Sequence, residues 1–387
     1  MPRYGDSMHT VVVTGGAGFI GSNFVHYTRA HRPDVRVVVL DALTYAGNLE
    51  SLKPDFSTDV RGVAPTSIGL GEAVASSELS ARSAAASCHR ASSPTSDLVC
   101  ELVVGDICDH ALVDELVASA DQVVHFAAES HNDNSLQDPA PFLRANVEGT
   151  VTVASACVKH GVPLHHISTD EVFGDLPVGS PERFTESTPY RPSSPYSASK
   201  AAADHMVRAW VRSFGLKATM SNCSNNYGPR QHPEKFIPRQ IIGLIEGRRP
   251  RVYGTGENVR DWIHVDDHNS AVWSIIDAAC QDPALYGRTF LIGADGERSN
   301  LDIVGDLLEA FGLSRSDYVH VTDRPGHDRR YAIDPTTLRT ELRWEPTHSL
   351  ADGLRETIEW YRNNRDWWEV AAKAAEAKYA LTEKELP

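Results

Sequence analysis

The sequence predicts an α/β fold with a doubly wound parallel sheet and a smaller C-terminal substrate-binding lobe. Three observations support this prediction. A glycine-rich turn, TGGAGFIGS, lies between an apolar run and an amphipathic run near the N-terminus. Further short apolar runs alternate with helical patterns, as is typical of a parallel sheet. From about Lys235 the elements shorten and are interrupted by Pro, Gly and Arg, which indicates a separate lobe.

The elements of the first half follow in a regular order. Apolar runs predict strands at Val11–Val13 and at Val35–Leu40, and the second strand stops at Asp41. Two more predicted strands end at Val104 and Phe126, each before a helical pattern. Residues 55–97 break this order, because they are rich in Ser, Ala and Gly and lack sustained periodicity. We therefore expect a surface insertion there.

The second half continues the alternation. A helical pattern follows Asp138-Pro139 and ends at Gly161, which is a suitable C-cap. A predicted strand over residues 163–168 delivers the segment STDE at its carboxyl end. The remaining expected elements are a helix carrying Tyr196 and Lys200, a strand from Ala218, an amphipathic helix over residues 350–363, and a solvated tail over residues 371–387.

The composition indicates a globular chain and argues against several functions. Of 387 residues, 41% are hydrophobic and 23% charged, which is enough to form a core. The formal net charge of -15 argues against sequence-independent binding to nucleic acid. The sequence has no run of about eighteen apolar residues and no apolar signal-peptide core at its start. We expect a cytoplasmic protein with neither a membrane nor a nucleic acid as partner.

Cysteine and histidine patterns do not predict a metal site. The six cysteines are scattered without a CxxC pair, and the seventeen histidines include no HExxH pair. Free, buried thiols and no bound metal are the expectation.

The glycine-rich turn predicts a dinucleotide site. Gly15, Gly18 and Gly21 have GxxGxxG spacing, which lets the backbone approach a pyrophosphate at a helix N-terminus. Asp41 follows Gly21 by twenty positions and could accept hydrogen bonds from a ribose 2′-hydroxyl, so NAD is favoured over NADP. The alternative is a turn residue that closes a strand. Further candidates for cofactor binding are Phe19, Ile20, Thr44, Asp106 and Ile107, although Asp106 could equally be a helix cap.

Tyr196 and Lys200 form a YxxxK pair, and a spacing of four puts both on one helix face. A nearby ammonium lowers the pKa of a tyrosine, so Tyr196 is a candidate base near neutral pH. Together with the glycine-rich turn, the pair indicates the short-chain dehydrogenase/reductase superfamily.

Five longer segments sharpen this indication, namely HISTDEVFGD, SSPYSASK, NCSNNYGPRQHPEKFIP, VRDWIHVDDH and DRPGHDRRYAID. Together they resemble the nucleotide-sugar 4,6-dehydratases that act on dTDP-glucose. The resemblance runs from Val11 to about Tyr361. It implies a hydro-lyase of deoxysugar biosynthesis that oxidises C4 of the sugar, eliminates water across C5 and C6, and reduces C6, with NAD regenerated.

The resemblance also implies roles for five residues. Thr169 would bind the 4-hydroxyl, Tyr196 would take its proton, and Lys200 would anchor the nicotinamide ribose. Glu171 would remove the C5 proton, and Asp170 would protonate the leaving 6-hydroxyl. Such a division needs one ionised and one protonated carboxyl group. The alternative for an acidic pair after a strand is a helix N-cap.

The same resemblance implies the binding residues and the domain limits. The NAD side would include Phe126, Ala127, Ala128, Ser130, Tyr196, Lys200 and Asn226. The nucleotide sugar would contact Ser130, Thr169, Asn225, Lys235, Phe236, Tyr253, Arg260, Asn300, Asp323, Arg324 and His327. The domains would be an NAD-binding domain over residues 8–234, a mainly substrate-binding lobe over residues 235–370 that could return segments to the NAD-binding domain, and the tail. A homodimer is implied as well.

The sequence departs from the family pattern at four positions, which are Ala42, Asn132, Asn134 and Phe173. The departures at Asn132 and Asn134 leave substrate preference and oligomer contacts open, and Ala42 leaves NAD affinity open. Alternatives are a dehydratase acting on UDP-glucose, or a related 4-epimerase or decarboxylase. An NAD-binding regulator without activity is a third alternative. Such a regulator should have lost part of the catalytic set, and all five residues are present.

Overall fold

An eight-stranded parallel sheet forms the centre of the molecule. The computed structural model describes residues 9–53, 56–61, 100–323, 328–380 and 383–385. The strand order is β11-β7-β6-β5-β1-β2-β4-β3, and every neighbouring pair is parallel. These strands are β1 (His9–Thr14), β2 (Val35–Asp41), β3 (Phe56–Arg61), β4 (Cys100–Val104), β5 (Gln122–His125), β6 (Leu164–Thr169), β7 (Ala218–Cys223) and β11 (Thr289–Ile292). The doubly wound α/β prediction is confirmed.

Helices lie on both faces of this sheet and in the C-terminal part. They are α1 (Phe19–His31), α2 (His110–Ala118), α3 (Asn132–Gln137), α4 (Ala140–Phe142), α5 (Thr150–His160), α6 (Pro195–Phe214), α7 (Phe236–Ile245), α8 (Val265–Gln281), α9 (Asn300–Ala310), α10 (Thr336–Leu342), α11 (Leu350–Asn363) and α12 (Arg365–Tyr379). A π-helical segment, Leu143–Gly149, joins α4 to α5. The predicted end at Gly161 is confirmed, since this residue caps α5 with a φ of 71°.

Two hydrophobic clusters sandwich the large sheet. The strand runs are buried on both faces, as in a parallel sheet covered by helices. On one face Val11, Val13 and Phe24 pack with Trp273 of α8. On the other face Val12 and Val123 pack with Val153 of α5. This alternation explains why the strands read as continuous apolar runs in the sequence.

Smaller sheets accompany the second half of the chain. A three-stranded sheet has the order β12-β10-β8, and β13 pairs with β9. The strands are β8 (Asn225–Tyr227), β9 (Arg251–Tyr253), β10 (Val259–His264), β12 (Glu297–Ser299) and β13 (Val319–Val321). A separate cluster of buried apolar side chains joins α7, α9, α11 and α12. Strand β11 nevertheless pairs with β7, so the chain returns to the large sheet after residue 235.

Two expectations need correction. The first residues of the expected insertion, Phe56–Arg61, form the edge strand β3, and residues 62–99 lie outside the described residues. The tail, expected as a solvated helix or a frayed end, is helical to Tyr379 and largely exposed, but three of its positions are packed. Ala372 and Ala375 of α12 are buried, and the side chain of Glu383 is only 3% exposed beside Arg239. The Ala, Lys and Glu composition hid this packing because the apolar positions are small.

None of the described helices is long and apolar enough to cross a membrane. The five described cysteines are all free, and four of them are buried.

Candidate active site

The glycine-rich turn lies at the carboxyl end of β1, between β1 and α1. Gly15 has a φ of 71°, and a Cβ there would lie 2.6 Å from the backbone nitrogen of Ala127. A Cβ on Gly21 would lie 2.3 Å from the Gly15 carbonyl oxygen. The N-cap of α1, Gly18, provides no side-chain cap, and the first turn has no acidic residue. Free N–H groups at a helix start without negative charge fit a pyrophosphate. Phe19 and Ile20 belong to this first turn.

Asp41 ends β2 beside this turn, as the sequence spacing predicts. Its two carboxylate oxygens accept hydrogen bonds from the backbone N–H groups of Ala17 and Leu43, each at 2.8 Å. Burial raises the pKa of Asp41, and these two N–H donors oppose the rise. Each oxygen can accept a further hydrogen bond, so the carboxylate fits a ribose hydroxyl.

Three other cofactor candidates surround the same sheet edge. Asp106 follows β4 and forms an ion pair with Arg144 at 2.7 Å. Ile107 is buried against Gly149, and Thr44 is exposed. The ion pair leaves Asp106 less available to an adenosine than the sequence alone suggested.

Strand β6 delivers Thr169, Asp170 and Glu171 at its carboxyl end. Thr169 is the N-cap of a 3-10 turn over residues 170–173, and its hydroxyl accepts from the Glu171 N–H at 3.3 Å. The alternative of a capping role therefore applies to Thr169 and not to the acidic pair. Asp170 is 2% exposed, whereas Glu171 is partly exposed. Burial, together with Glu171 and Asp261, holds the pKa of Asp170 well above its usual range, and Arg260 opposes this effect.

Tyr196 and Lys200 lie on α6, which begins with a capping box at Ser194. The Lys200 Nζ donates to the Ile167 carbonyl oxygen at 2.8 Å. The expected lowering of the Tyr196 pKa is wrong for this structure. Burial and the nearby Glu171 raise that pKa, while a hydrogen bond with Thr169 opposes them.

The Lys200 ammonium is buried beside a network of hydrogen bonds centred on Asp204. Burial lowers the pKa of Lys200, and Asp204 one turn later on α6 opposes this shift. Asp204 is 1% exposed and accepts hydrogen bonds from Ser168 at 2.9 Å and from Tyr190 at 2.8 Å. Asn222 of β7 donates both to Asp204 at 3.2 Å and to the Thr169 carbonyl oxygen at 3.0 Å. This network ties the end of β6 to α6 and β7.

Several buried oxygen atoms near these strand ends have no hydrogen-bond partner among the described residues. They are Asp170 Oδ2, Asn132 Oδ1, Asn225 Oδ1 and Asn226 Oδ1. Buried polar atoms are normally paired with protein or water, so each of these oxygens is available to a hydrogen-bond donor from water or from a bound molecule. A sugar, with several hydroxyl groups, fits such a set.

The other substrate-side candidates differ in their placement. The guanidinium of Arg260 donates to the carbonyl oxygens of Val259 and Asp328 and stacks on Tyr331, 4.3 Å from the ring centre. Lys235 lies 3.4 Å from the carbonyl oxygen of Ser130, which is an exposed residue. Of these two cations, Arg260 also acts electrostatically on the buried Asp170.

Other candidates have structural partners. Phe236 stacks on Trp262 with ring centres 6.2 Å apart, and Asn300 is the buried first residue of α9. The Tyr253 hydroxyl contacts Glu383 and lies 3.2 Å from Arg239, so its polar group belongs to a cluster with the C-terminal segment.

Of the last three candidates, only Asp323 belongs to the described residues. Asp323 is exposed next to Gly254. Arg324 and His327 lie outside the described residues.

Phe126, Ala127 and Ala128 follow β5 beside Gly15, at the cofactor side of the sheet.

Two residues of the site escaped the sequence interpretation. Asp261 is 1% exposed, and burial with the neighbouring Asp295 and Glu297 raises its pKa to about 7, against a hydrogen bond from the Gly296 N–H. Tyr331 lies under Arg260. Both occur inside segments that carried the resemblance, VRDWIHVDDH and DRPGHDRRYAID. Only the three-dimensional packing distinguishes them from their neighbours.

Comparisons with known proteins agree with this geometry. Residues 11–293 match the NAD dependent epimerase/dehydratase family. The chain is 53% identical to the dTDP-glucose 4,6-dehydratase of Mycolicibacterium smegmatis, covering 95% of this chain and 98% of that protein. It is 41% identical to the enzyme of the same name from Streptomyces antibioticus, covering 94% and 95%.

Solved structures of dehydratases and epimerases also resemble this chain. The dTDP-glucose 4,6-dehydratase of Streptomyces venezuelae, crystallised with NAD bound, has a TM-score of 0.78 and 39% identity, and the match covers 94% of this chain and 99% of that one. The UDP-glucose 4-epimerase of Thermus thermophilus, in complex with NAD, has a TM-score of 0.71 and 26% identity, with coverage of 92% and 99%.

Proposed function

Because the chain belongs to the NAD dependent epimerase/dehydratase family, we propose that it is an NAD-dependent hydro-lyase that converts dTDP-glucose to dTDP-4-keto-6-deoxy-glucose. The relatives with the higher identities carry the name dTDP-glucose 4,6-dehydratase, whereas the epimerase structure is more distant. The product is an activated deoxysugar precursor.

The observation that carries this proposal is the unequal environment of two adjacent carboxyl groups. Asp170 is buried and its pKa is raised, which favours its protonated form. Glu171, next to it, is partly exposed. Elimination of water needs an acid and a base on neighbouring carbons, and such a pair supplies both. A plain reductase or an epimerase needs neither.

The first step requires a base and an anchor for the 4-hydroxyl. Thr169 and Tyr196 are hydrogen-bonded to each other, so both can contact one hydroxyl group. Bound NAD supplies a hydride acceptor for C4, a donor for C6, and a cationic ring that favours ionised Tyr196. Lys200, one turn along α6, would contact the cofactor ribose and add positive charge.

The second step uses the acidic pair. A 4-keto group acidifies the hydrogen at C5, which Glu171 removes as base. Asp170 protonates the leaving 6-hydroxyl, so water departs and a double bond forms between C5 and C6. Arg260 and Lys235 are cations suited to the substrate diphosphate. The Arg260 guanidinium donates to backbone carbonyl oxygens through Nη1 and Nη2, and its other N–H groups can donate to a phosphate.

The test is conversion of four substrates, dTDP-, UDP-, CDP- and GDP-glucose, by the purified protein with NAD. We expect dTDP-glucose to give the 4-keto-6-deoxy product, detected by its absorbance in alkali. Conversion of UDP-glucose alone would overturn the substrate assignment. A 4-epimer as product would overturn the reaction, and NAD binding without turnover of any sugar would favour the non-catalytic alternative.

The proposal includes a homodimer in the cytoplasm. Three large apolar side chains, Leu136, Leu143 and Phe214, are more than half exposed on α3, the π-helical segment and α6, and a second copy could cover them. The free cysteines suit a reducing compartment. Light scattering of the full chain should give twice the monomer mass, and a monomer at micromolar concentration would contradict the dimer.

A further inference from the structure

Asn132, the first residue of α3, has a firmly positioned backbone. The Ser135 hydroxyl, which is fully buried, donates to the Asn132 carbonyl oxygen at 2.6 Å. The preceding His131 caps the helix by accepting from the Asn134 N–H at 3.3 Å, and its other ring nitrogen lies 3.3 Å from Glu234. These contacts fix the position of the Cα atom from which the Asn132 side chain extends.

The two ends of the Asn132 side chain have different surroundings. The amide Nδ2 lies 3.5 Å from Glu171 Oε2, at the outer limit of a hydrogen bond. The amide Oδ1 is buried and has no partner among the described residues. A buried amide is normally paired at both ends, so the unpaired oxygen is available to a donor from a bound molecule.

Glu171 is fixed as well. Its N–H donates to Thr169 Oγ1 at 3.3 Å, and its carbonyl oxygen accepts from the Gly174 N–H at 3.3 Å. The titratable groups whose charges act with Glu171 include Asp170, Tyr196 and Tyr331. Each of these is an acid, and the amide of Asn132 adds a donor that interacts favourably with a carboxylate.

We propose that Asn132 is a positioning and specificity residue for this reaction: Nδ2 orients the Glu171 carboxylate, and Oδ1 accepts a hydrogen bond from a hydroxyl group of the hexose. The role rests on the proposed dehydratase function. It connects recognition of the sugar to the base that acts on it, because one planar amide contacts both.

The test compares Asn132→Leu, which has nearly the same shape without polar atoms, with Asn132→Ala, which adds no bulk. We expect C4 oxidation at the wild-type rate and elimination about tenfold slower, since a hydrogen bond made in the transition state is worth roughly that factor. Stopped-flow absorbance at 340 nm separates the two steps. The KM for dTDP-glucose should rise several-fold, while inhibition by dTDP, which lacks the hexose, should be unchanged.

The pH profile adds a measurement that a purely structural role would not affect. Hydrogen bonds to a carboxylate favour its ionised form, so both variants should move the acidic limb of the elimination rate to higher pH. Asn134→Ala is the matched control on the same helix, because its amide contacts Lys378 at 2.8 Å instead of Glu171. This control should keep the wild-type profile.

Two results would overturn the role of Asn132 alone, with the wild-type protein active. One is an Asn132→Ala enzyme with unchanged elimination, KM and pH profile. The other is a parallel loss of dTDP binding, NAD binding and thermal stability, which would mean a structural role. If the Leu variant does not fold, the Ala variant decides. A wild-type protein without activity on dTDP-glucose would overturn the proposed function, and this role with it.

Discussion

At the scale of single residues, burial raises the pKa of selected acidic groups. Asp170 and Asp261 are both almost completely buried, and burial is the main reason that both have a raised pKa. Glu171 adjoins the first of them but is partly exposed. Two neighbouring carboxyl groups can therefore serve as acid and base, because one is buried and the other is partly exposed.

Glu171→Gln tests the base. The amide cannot accept a proton from C5, so we expect C4 oxidation to continue and elimination to fall by at least about a hundredfold, a usual contribution of general base catalysis. Rapid mixing with dTDP-glucose should give lasting absorbance at 340 nm from reduced cofactor. Turnover at the wild-type rate would refute the role, and loss of the absorbance change would place Glu171 in the oxidation step.

Asp261 gives a prediction for stability. Its folded pKa of about 7 lies above the unfolded value of roughly 3.9, so the folded chain holds the extra proton between these limits. Stability from this group is therefore lost as the pH rises towards 7. Asp261→Asn should gain about 2–4 °C in Tm relative to wild type at pH 8, and less at pH 5. An equal change at both pH values would contradict the prediction.

At the scale of elements, the ends of three parallel strands assemble the site. Strands β1 and β2 bring the glycine-rich turn to Asp41, and β6 adds Thr169 and the acidic pair. Helix α6 places Tyr196 against the last of these strands, because Asp204 is hydrogen-bonded to both β6 and β7. The register of the sheet thus fixes the distance between cofactor and acid-base groups.

Gly15→Ala tests the close approach in the glycine-rich turn. A methyl group there would meet the Ala127 backbone at 2.6 Å, so the turn must shift, and we expect NAD to bind about tenfold more weakly or worse, which corresponds to roughly 1.4 kcal/mol. Calorimetric titration with NAD measures this. Gly161→Ala is the matched control, since it has the same φ of 71° with nothing within 4 Å. If both variants bind NAD equally, backbone strain and not the close approach would be responsible.

At the scale of the whole molecule, the C-terminal segment is part of the fold. Arg239 of α7 is 6% exposed and pairs with Glu376 and Glu383, while Tyr379 stacks on its guanidinium at 3.8 Å. The hydroxyl of Tyr379 also donates to the Glu234 carbonyl oxygen at 3.0 Å. The last described residues of the chain thereby brace the segment that carries Lys235.

Glu383→Ala tests this brace. Burial raises the pKa of Glu383, but hydrogen bonds from Arg239 and Tyr253 outweigh it and hold the pKa below its usual value. Removing one partner of a buried pair should lower the unfolding free energy by roughly 3 kcal/mol, measured by urea unfolding at pH 7. The wild-type advantage should decrease as the pH falls below the usual glutamate range. Glu385→Ala removes a 60% exposed partner of Arg251 and should have little effect; equal losses would refute the brace.

The sequence by itself determined the doubly wound sheet, the glycine-rich turn, Asp41 and the order of the catalytic candidates. These features depend on local patterns, because the periodicity of a strand and the spacing of glycines are properties of short stretches of sequence. Only the tertiary structure decided the raised pKa of Asp170, the raised pKa of Tyr196, the packing of the C-terminal helix and the contact of Asn132 with Glu171. Each of these depends on burial and charge supplied by residues far away in the chain, and no local pattern records them.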